Sequence, residues 1–281
     1  FHGFAFIEVA VRDDAGVRLG ERLQQLGFTR YGRHRTKAVT LYRQGAIRVA
    51  VNAAAESHAH GRSAQQPAYV SSLGLLAEYA GRAASRAGAL LSARQDTPRG
   101  AEEFEMPTIL APGGTMIQFL PHDQPAEADF IEDPGGTAPS CGLDTVDHVA
   151  MALTPDQRDT WLLFARAVLG LDRCETGDGP EPVGVIRGIG LANDNRRVRV
   201  LLNATIAPSS GPRAASDSTK VGGGVDGIAF GCTDIFATVK RLRDNGVSFG
   251  PISGNYYDDL ARRTTLDDAV IERMRELQIL F

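Results

Sequence analysis

Ile47-Arg48-Val49-Ala50-Val51-Asn52 and Val198-Arg199-Val200-Leu201-Leu202-Asn203 are near copies of one another, set about 150 residues apart. Each closes a segment that opens with an alternating apolar strand and continues into an amphipathic helix. The first segment opens with Phe4-Ala5-Phe6-Ile7-Glu8-Val9-Ala10-Val11, and its helix, Ala15 to Leu26, sets Leu19, Leu23 and Leu26 at helical spacing. The third opens with Val146-Asp147-His148-Val149-Ala150-Met151, before a helix carrying Trp161, Phe164, Ala165 and Val168. Two further segments start alike. Tyr69-Val70-Ser71-Ser72-Leu73-Gly74 precedes a helix ending near Arg86, and Val225-Asp226-Gly227-Ile228-Ala229-Phe230 precedes Ile235 to Asn245. All four helices end at a glycine and an apolar residue, at Gly27-Phe28, Gly88-Ala89, Gly170-Leu171 and Gly246-Val247, as a left-handed C-cap favours.

Hairpin signals follow the helices. Ala38 to Arg43 and Ile47 to Asn52 flank Gln44-Gly45-Ala46, and Thr108 to Ala111 and Thr115 to Leu120 flank Pro112-Gly113-Gly114. The predicted fold class is therefore α+β, with tandem βαβββ units curling their sheets into two open cups. Residues 1–121 read as the N-terminal pair of units, 122–144 as a Pro-rich linker and 145–281 as the C-terminal pair. In the fourth unit, Phe249-Gly250-Pro251-Ile252 leads to a predicted helix from Leu266 to Leu277, with Val270, Met274 and Leu277 on one face. The closing strands of that unit would begin at Ile279-Leu280-Phe281, so the unit reads as incomplete.

Composition narrows the class. A chain of 281 residues is roughly two average domains, and 43% hydrophobic with 23% charged is ordinary for a soluble globular protein. No run approaches the roughly 18 apolar residues of a membrane helix, and Phe1-His2-Gly3-Phe4 lacks the marks of a secretory leader. A net charge of -4 disfavours nucleic acid, and three cysteines without a CxxC suggest neither disulfides nor a zinc knuckle. The expectation is a reduced, cytoplasmic protein facing small molecules, with no nucleic-acid or membrane partner and with oligomerisation left open.

Several side chains invite a chemical reading. His34, within Arg33-His34-Arg35-Thr36-Lys37, lies in a basic cluster suited to an anion, though a solvated strand end reads equally simply. His58 and His60 have the spacing of one strand face inside an Ala/Ser/Gly-rich stretch that reads as a loop. Gly222-Gly223-Gly224 precedes a strand and so is no phosphate loop, and Asp258-Asp259 reads as a surface or capping pair. Ser209, Ser210 and Cys232 have no histidine at motif spacing, which leaves nucleophilic catalysis unsupported.

The paired repeat, with Val146-Asp147-His148-Val149, Gly224 to Phe230, Asp234-Ile235, Asn255-Tyr256-Tyr257-Asp258-Asp259-Leu260 and Arg273 to Leu280, resembles the vicinal oxygen chelate (glyoxalase-like) superfamily. Within it, the chain resembles 4-hydroxyphenylpyruvate dioxygenase. Gly32 to Gly45 and Leu162 to Leu171 look like the dioxygenase-like C-terminal half of bacterial 3-dehydroshikimate dehydratases, which follows a TIM-barrel half. The resemblance implies Fe(II), or another divalent metal, held by two histidines and a carboxylate, a small aromatic keto acid as ligand, and a TIM-barrel partner domain. It puts the first metal ligand at His148, expected on the concave face with Gly227 opposite it across the cup. Gly227 stands where the second histidine belongs, and Asp226 beside it would need a bulge or register shift to reach the same face. The third ligand, a glutamate, would lie past Phe281. Asn203, Tyr256 and Tyr257 become substrate-side candidates.

Three functions follow. One is an Fe(II) dioxygenase scaffold with an incomplete triad, inactive as it stands. Another is a non-catalytic module that stabilises, assembles or regulates a dehydratase barrel. The third is a binding protein whose cup holds a small aromatic molecule.

Overall fold

The computed structural model describes residues 1–54, 66–90, 93–95, 100–133, 139–174, 186–205 and 224–281. The first half runs β1 (Gly3–Val11), α1 (Ala15–Gln25), β2 (Thr29–His34), β3 (Val39–Gln44), β4 (Ile47–Asn52), β5 (Ala68–Ala77), α2 (Ala80–Ala89), β6 (Arg94–Gln95), β7 (Thr108–Leu110), β8 (Met116–Pro121) and β9 (Phe130–Glu132). These strands form one sheet in the order β6-β7-β8-β5-β1-β4-β3-β2-β9. The second half runs β10 (Leu143–Leu153), α3 (Arg158–Ala167), β11 (Asp172–Cys174), β12 (Ile186–Ala192), β13 (Arg199–Thr205), β14 (Gly224–Cys232), α4 (Ile235–Asp244), α5 (Gly254–Arg263) and α6 (Asp268–Leu277). Its sheet has the order β11-β12-β13-β10-β14. Two open sheets in an α+β chain are thus observed, as the repeat predicts.

Alternation along the strands decides which face is filled. On β1, Ile7, Val9 and Val11 enter the main core, while Phe6 and Ala10 lie in separate small clusters on the other side. On β10, Val149, Met151 and Leu153 enter the same main core. That core is continuous through both halves. Phe28 meets Phe230 with ring centroids 5.8 Å apart, and the Phe1 ring stacks on Phe119 while its carbonyl accepts from Asn193 and Asn195.

The registers make the repeat quantitative. Ile7 pairs with Val49 and Ala10 with Asn52, as Val149 pairs with Val200 and Ala152 with Asn203. Glu8 pairs with Ser72 as Ala150 pairs with Gly227. His148 therefore corresponds to Phe6, Ala150 to Glu8, Asn203 to Asn52 and Gly227 to Ser72.

Four local expectations are corrected. Gly88 lies inside α2 and is not among the glycines with positive φ, whereas Gly27, Gly170 and Gly246 are, at φ 86°, 62° and 82°. The stretch read as a linker supplies β9, which pairs with β2 and is held there by Arg30 and Arg33 on Asp133. Gly32 lets β9 in, because a Cβ there would stand 2.1 Å from the Ile131 carbonyl oxygen. Asn255 to Leu260 is part of a further helix, α5, and on α6 it is Ile271 and Met274 that are buried while Val270 is exposed. No helix among the described residues is long and apolar enough to cross a membrane.

Candidate functional site

Two sheet faces are candidates, one on each sheet. On the smaller sheet, His148 and Ala150 alternate with Val149, which faces the main core, so they lie on the opposite face of the sheet. His148 pairs with Ala229 and Ala150 with Gly227 across the β10/β14 ladder. Directly paired residues share a face, so His148 and Gly227 are diagonal neighbours there, with Cα atoms roughly 7–8 Å apart. They sit on adjacent strands, not on opposite walls of a cup. Asn203 lies on the same side, since it pairs with Ala152.

The His148 imidazole is fixed by its neighbour. The β10/β14 register shifts between Val146 and His148, which lets the adjacent Asp147 carboxylate reach back. Asp147 Oδ2 lies 2.8 Å from His148 Nδ1, and Arg199 closes on the other carboxylate oxygen. Burial pushes the Asp147 carboxyl up, but the His148 and Arg199 hydrogen bonds and charges outweigh it and hold it below its ordinary value. A second register shift, between Ala150 and Met151, falls at Asp226, which is exposed.

The larger sheet carries the deeper feature. A cavity of about 430 Å³ lies on its concave face, with Glu8 of β1, Asn52 of β4 and Gln118 of β8 in its lining. Asn52 Nδ2 donates to Glu8 Oε1 at 2.6 Å, and Gln118 Nε2 to Glu8 Oε2 at 3.4 Å. Burial raises the Glu8 carboxyl above its ordinary value, partly offset by Asn52, the Lys37 charge, Gln118 and Ser71. Phe6, Leu41 and Met116 give apolar walls, and Phe104, Pro125 and Phe130, from segments outside the repeat strands, close the other side. The supposed linker thus covers the N-terminal cup.

The basic cluster around His34 does not form an anion site. Arg33 is paired with Asp133, Arg35 with Asp129 and Lys37 with Glu103. His34 itself is held below its ordinary value, first by burial and then by the Lys37 charge. Lys37 Nζ sits 2.6 Å from Glu103 Oε2, whose side chain is 2% exposed. Burial pushes Glu103 up, but hydrogen bonds from Lys37, Thr36 and the Gly100 backbone, with the Lys37 charge, bring it to about 2. A depressed carboxyl stabilises the fold fully above its ordinary value of 4.5, and that stabilisation fades as pH falls towards about 2. Replacing Lys37 by Met should therefore cost about 2 kcal/mol at pH 7, allowing for solvent screening of the half-exposed ammonium. Urea titrations at pH 7, 4 and 3 check this. The difference from the parent should shrink with acidification, and a pH-independent difference would refute it.

Residues 1–133 match the family described as Hydroxyphenylpyruvate dioxygenase, HPPD, N-terminal, and residues 145–268 match the Glyoxalase/Bleomycin resistance protein/Dioxygenase superfamily. The chain belongs to this glyoxalase/dioxygenase superfamily. It is 34% identical to the 3-dehydroshikimate dehydratase of Pseudomonas aeruginosa, over 99% of this chain and 44% of that protein. It is 24% identical to the 4-hydroxyphenylpyruvate dioxygenase of the same species, over 99% of this chain and 79% of that one. Among solved structures, a xylose isomerase-like TIM barrel/4-hydroxyphenylpyruvate dioxygenase fusion protein superposes with TM-score 0.83 at 32% identity, over 100% of this chain and 44% of the other. The chain spans less than half the length of the dehydratase and of the fusion protein.

A superfamily member using iron through two histidines and a carboxylate needs three donors converging on one face. The positions flanking His148 on that face are Ala150, Gly227 and Ala229, none with a ligating side chain, and Asn203 lies further along it beside Ala152. Among the described residues no three His, Cys, Asp or Glu side chains form a metal-binding group. The donor set present therefore does not fit the iron triad. Asn203 leans over β12, its Oδ1 3.3 Å from where a Cβ on Gly188 would stand. Tyr257 is fully buried in the α4–α6 cluster with Val239, Leu260, Ile271 and Met274, and the Tyr256 hydroxyl accepts from the Phe281 backbone N–H at 2.8 Å. Asp258 and Asp259 pair with Arg275 and Arg263. Cys232 ends β14, half-buried, while His58, His60, Ser209, Ser210, Gly222 and Gly223 lie outside the described residues.

Glu8 is the functional candidate that sequence reading passed over. Its signal was a lone carboxylate at a concave position of an otherwise apolar strand, with an amide side chain at the end of β4.

Proposed function

We propose that this chain is a dioxygenase-fold module that performs no iron-dependent oxygen chemistry with its own residues, and that it serves as the non-catalytic half of a dehydratase-type protein. One observation carries the reading. The side chains flanking His148 on its face are methyls and hydrogens, at Ala150, Ala229 and Gly227, where an iron site requires donors. Similarity over 99% of the chain to less than half of a 3-dehydroshikimate dehydratase supports the partner role. The test is oxygen uptake by the Fe(II)-supplemented chain with 4-hydroxyphenylpyruvate. No uptake above a protein-free blank is expected, and catalytic turnover abolished by His148→Ala would overturn the reading.

A second reading, a small-molecule-binding protein, is favoured by the covered cavity of the N-terminal cup. The two are compatible, because they concern different sheets.

A further inference from the structure

We propose that the N-terminal cup is a ligand site for a small, ring-sized molecule whose head group, a hydroxyl or a protonated amine, donates hydrogen bonds to Glu8. The proposal does not depend on how the His148 face behaves.

Glu8 and Ala150 occupy equivalent register positions in the two halves, pairing with Ser72 and Gly227 respectively. The second half builds the same central strand pairs with a methyl group at that position. The architecture thus has no need of a carboxylate there, and a deep carboxylate costs stability unless it is well bonded. Nor is Glu8 a stray charge. It is held by two amide side chains from two other strands, Asn52 and Gln118, each 6% exposed. Asn52 is itself fixed, since its Oδ1 accepts from the Ala54 backbone N–H at 2.8 Å.

A volume of about 430 Å³ falls within the usual 300–1,000 Å³ of small-molecule sites and has their usual composition, apolar walls with a few convergent polar groups. Phe6 and Met116 flank Glu8's side of the sheet, and Phe130 faces them from β9. A single aromatic ring with a short head group suits such a chamber.

The polar groups around Glu8 fix the head group. The two Glu8 carboxyl oxygens offer up to about four acceptor sites. Asn52 and Gln118 supply one donor each, so acceptor capacity remains for a ligand. The nearby cations are already engaged, Lys37 by Glu103 and Arg35 by Asp129. A ligand carboxylate would find the Lys37 ammonium already shared between Glu103 and Glu8, in a medium where like charges repel more strongly than in water. The cup should therefore reject the aromatic keto acids expected from the superfamily resemblance and accept donor-headed rings.

The experiment uses the 281-residue chain and four defined probes: tyramine, phenethylamine, 4-methylphenol and phenylacetate. Binding is followed by calorimetry and ligand-observed NMR. The three donor-headed probes should bind saturably, with phenylacetate at least about tenfold weaker. Glu8→Gln should weaken tyramine by about tenfold or more, the usual loss for a hydrogen bond to a charged group, without lowering the melting temperature. Ala50→Phe, which fills the chamber beside Glu8, should abolish binding of all probes, and His148→Ala should change nothing. Phenylacetate binding as tightly as tyramine, binding indifferent to Ala50→Phe, or no saturable binding of any donor-headed probe would each overturn the proposal.

Discussion

Replacing Gly227 by His should raise the affinity of the chain for Fe(II), Ni(II) or Zn(II) by more than about tenfold. Changes to groups that merely orient a ligand are worth about 10- to 100-fold, and adding a ligand should do at least as much. The geometry admits the substitution. A Cβ on Gly227 would meet only the Ala150 Cβ, at 3.5 Å, an ordinary contact, and Gly227 does not have positive φ. The new imidazole would rise from the face that carries His148, on the neighbouring strand and one diagonal step away. His148 is already prepared, because Asp147 holds its Nδ1 and leaves Nε2 for a metal. Metal titrations of the single variant and of Gly227→His with His148→Ala separate chelation from adventitious binding. The gain should vanish in the double variant. No gain in the single variant would show that the two positions cannot share an ion.

Tyr257→Ala should destabilise the chain by about 3–5 kcal/mol, the usual loss for truncating a buried aromatic residue. Tyr257 is fully buried and is the largest fully buried side chain of the α4–α6 cluster. The Tyr256 ring meets it edge-on at 5.1 Å, and the Arg275 guanidinium lies over it at 5.4 Å. Its hydroxyl has no hydrogen-bond partner among the described residues. Tyr257→Phe should accordingly be neutral or mildly stabilising, since it removes a polar atom that burial leaves unsatisfied. Chemical denaturation of both variants checks this. A Phe variant as unstable as the Ala variant would mean that the hydroxyl makes an essential bond.

The strand and helix repeat was legible because its signals are local: period-two alternation on β1 and β10, amphipathic helices, and glycines after three of the four helices. The equivalence of His148's strand and Gly227's strand was legible for the same reason, but not that the two strands pair side by side, which is a long-range contact between units. What escaped is non-local. β9 is three residues long and shows no alternation; it is a strand only because Gly32 gives it room and Arg30 and Arg33 clamp Asp133. The helix α5 lies in a Tyr/Asp-rich stretch whose only buried residues are Tyr257 and Leu260, too few for an apolar period to show. The cavity is assembled from residues as far apart as Phe6 and Phe130. No sequence window could show that Glu8, Asn52 and Gln118 converge.

The central question is whether the His148 face can hold iron at all. The most direct measurement is an anaerobic Fe(II) titration of the chain beside its His148→Ala variant, with bound metal quantified after gel filtration. Two of the three donors of a facial triad are missing around His148, so both proteins should emerge with no retained iron and indistinguishable isotherms. One equivalent of iron retained by the parent and lost in the variant would contradict the account.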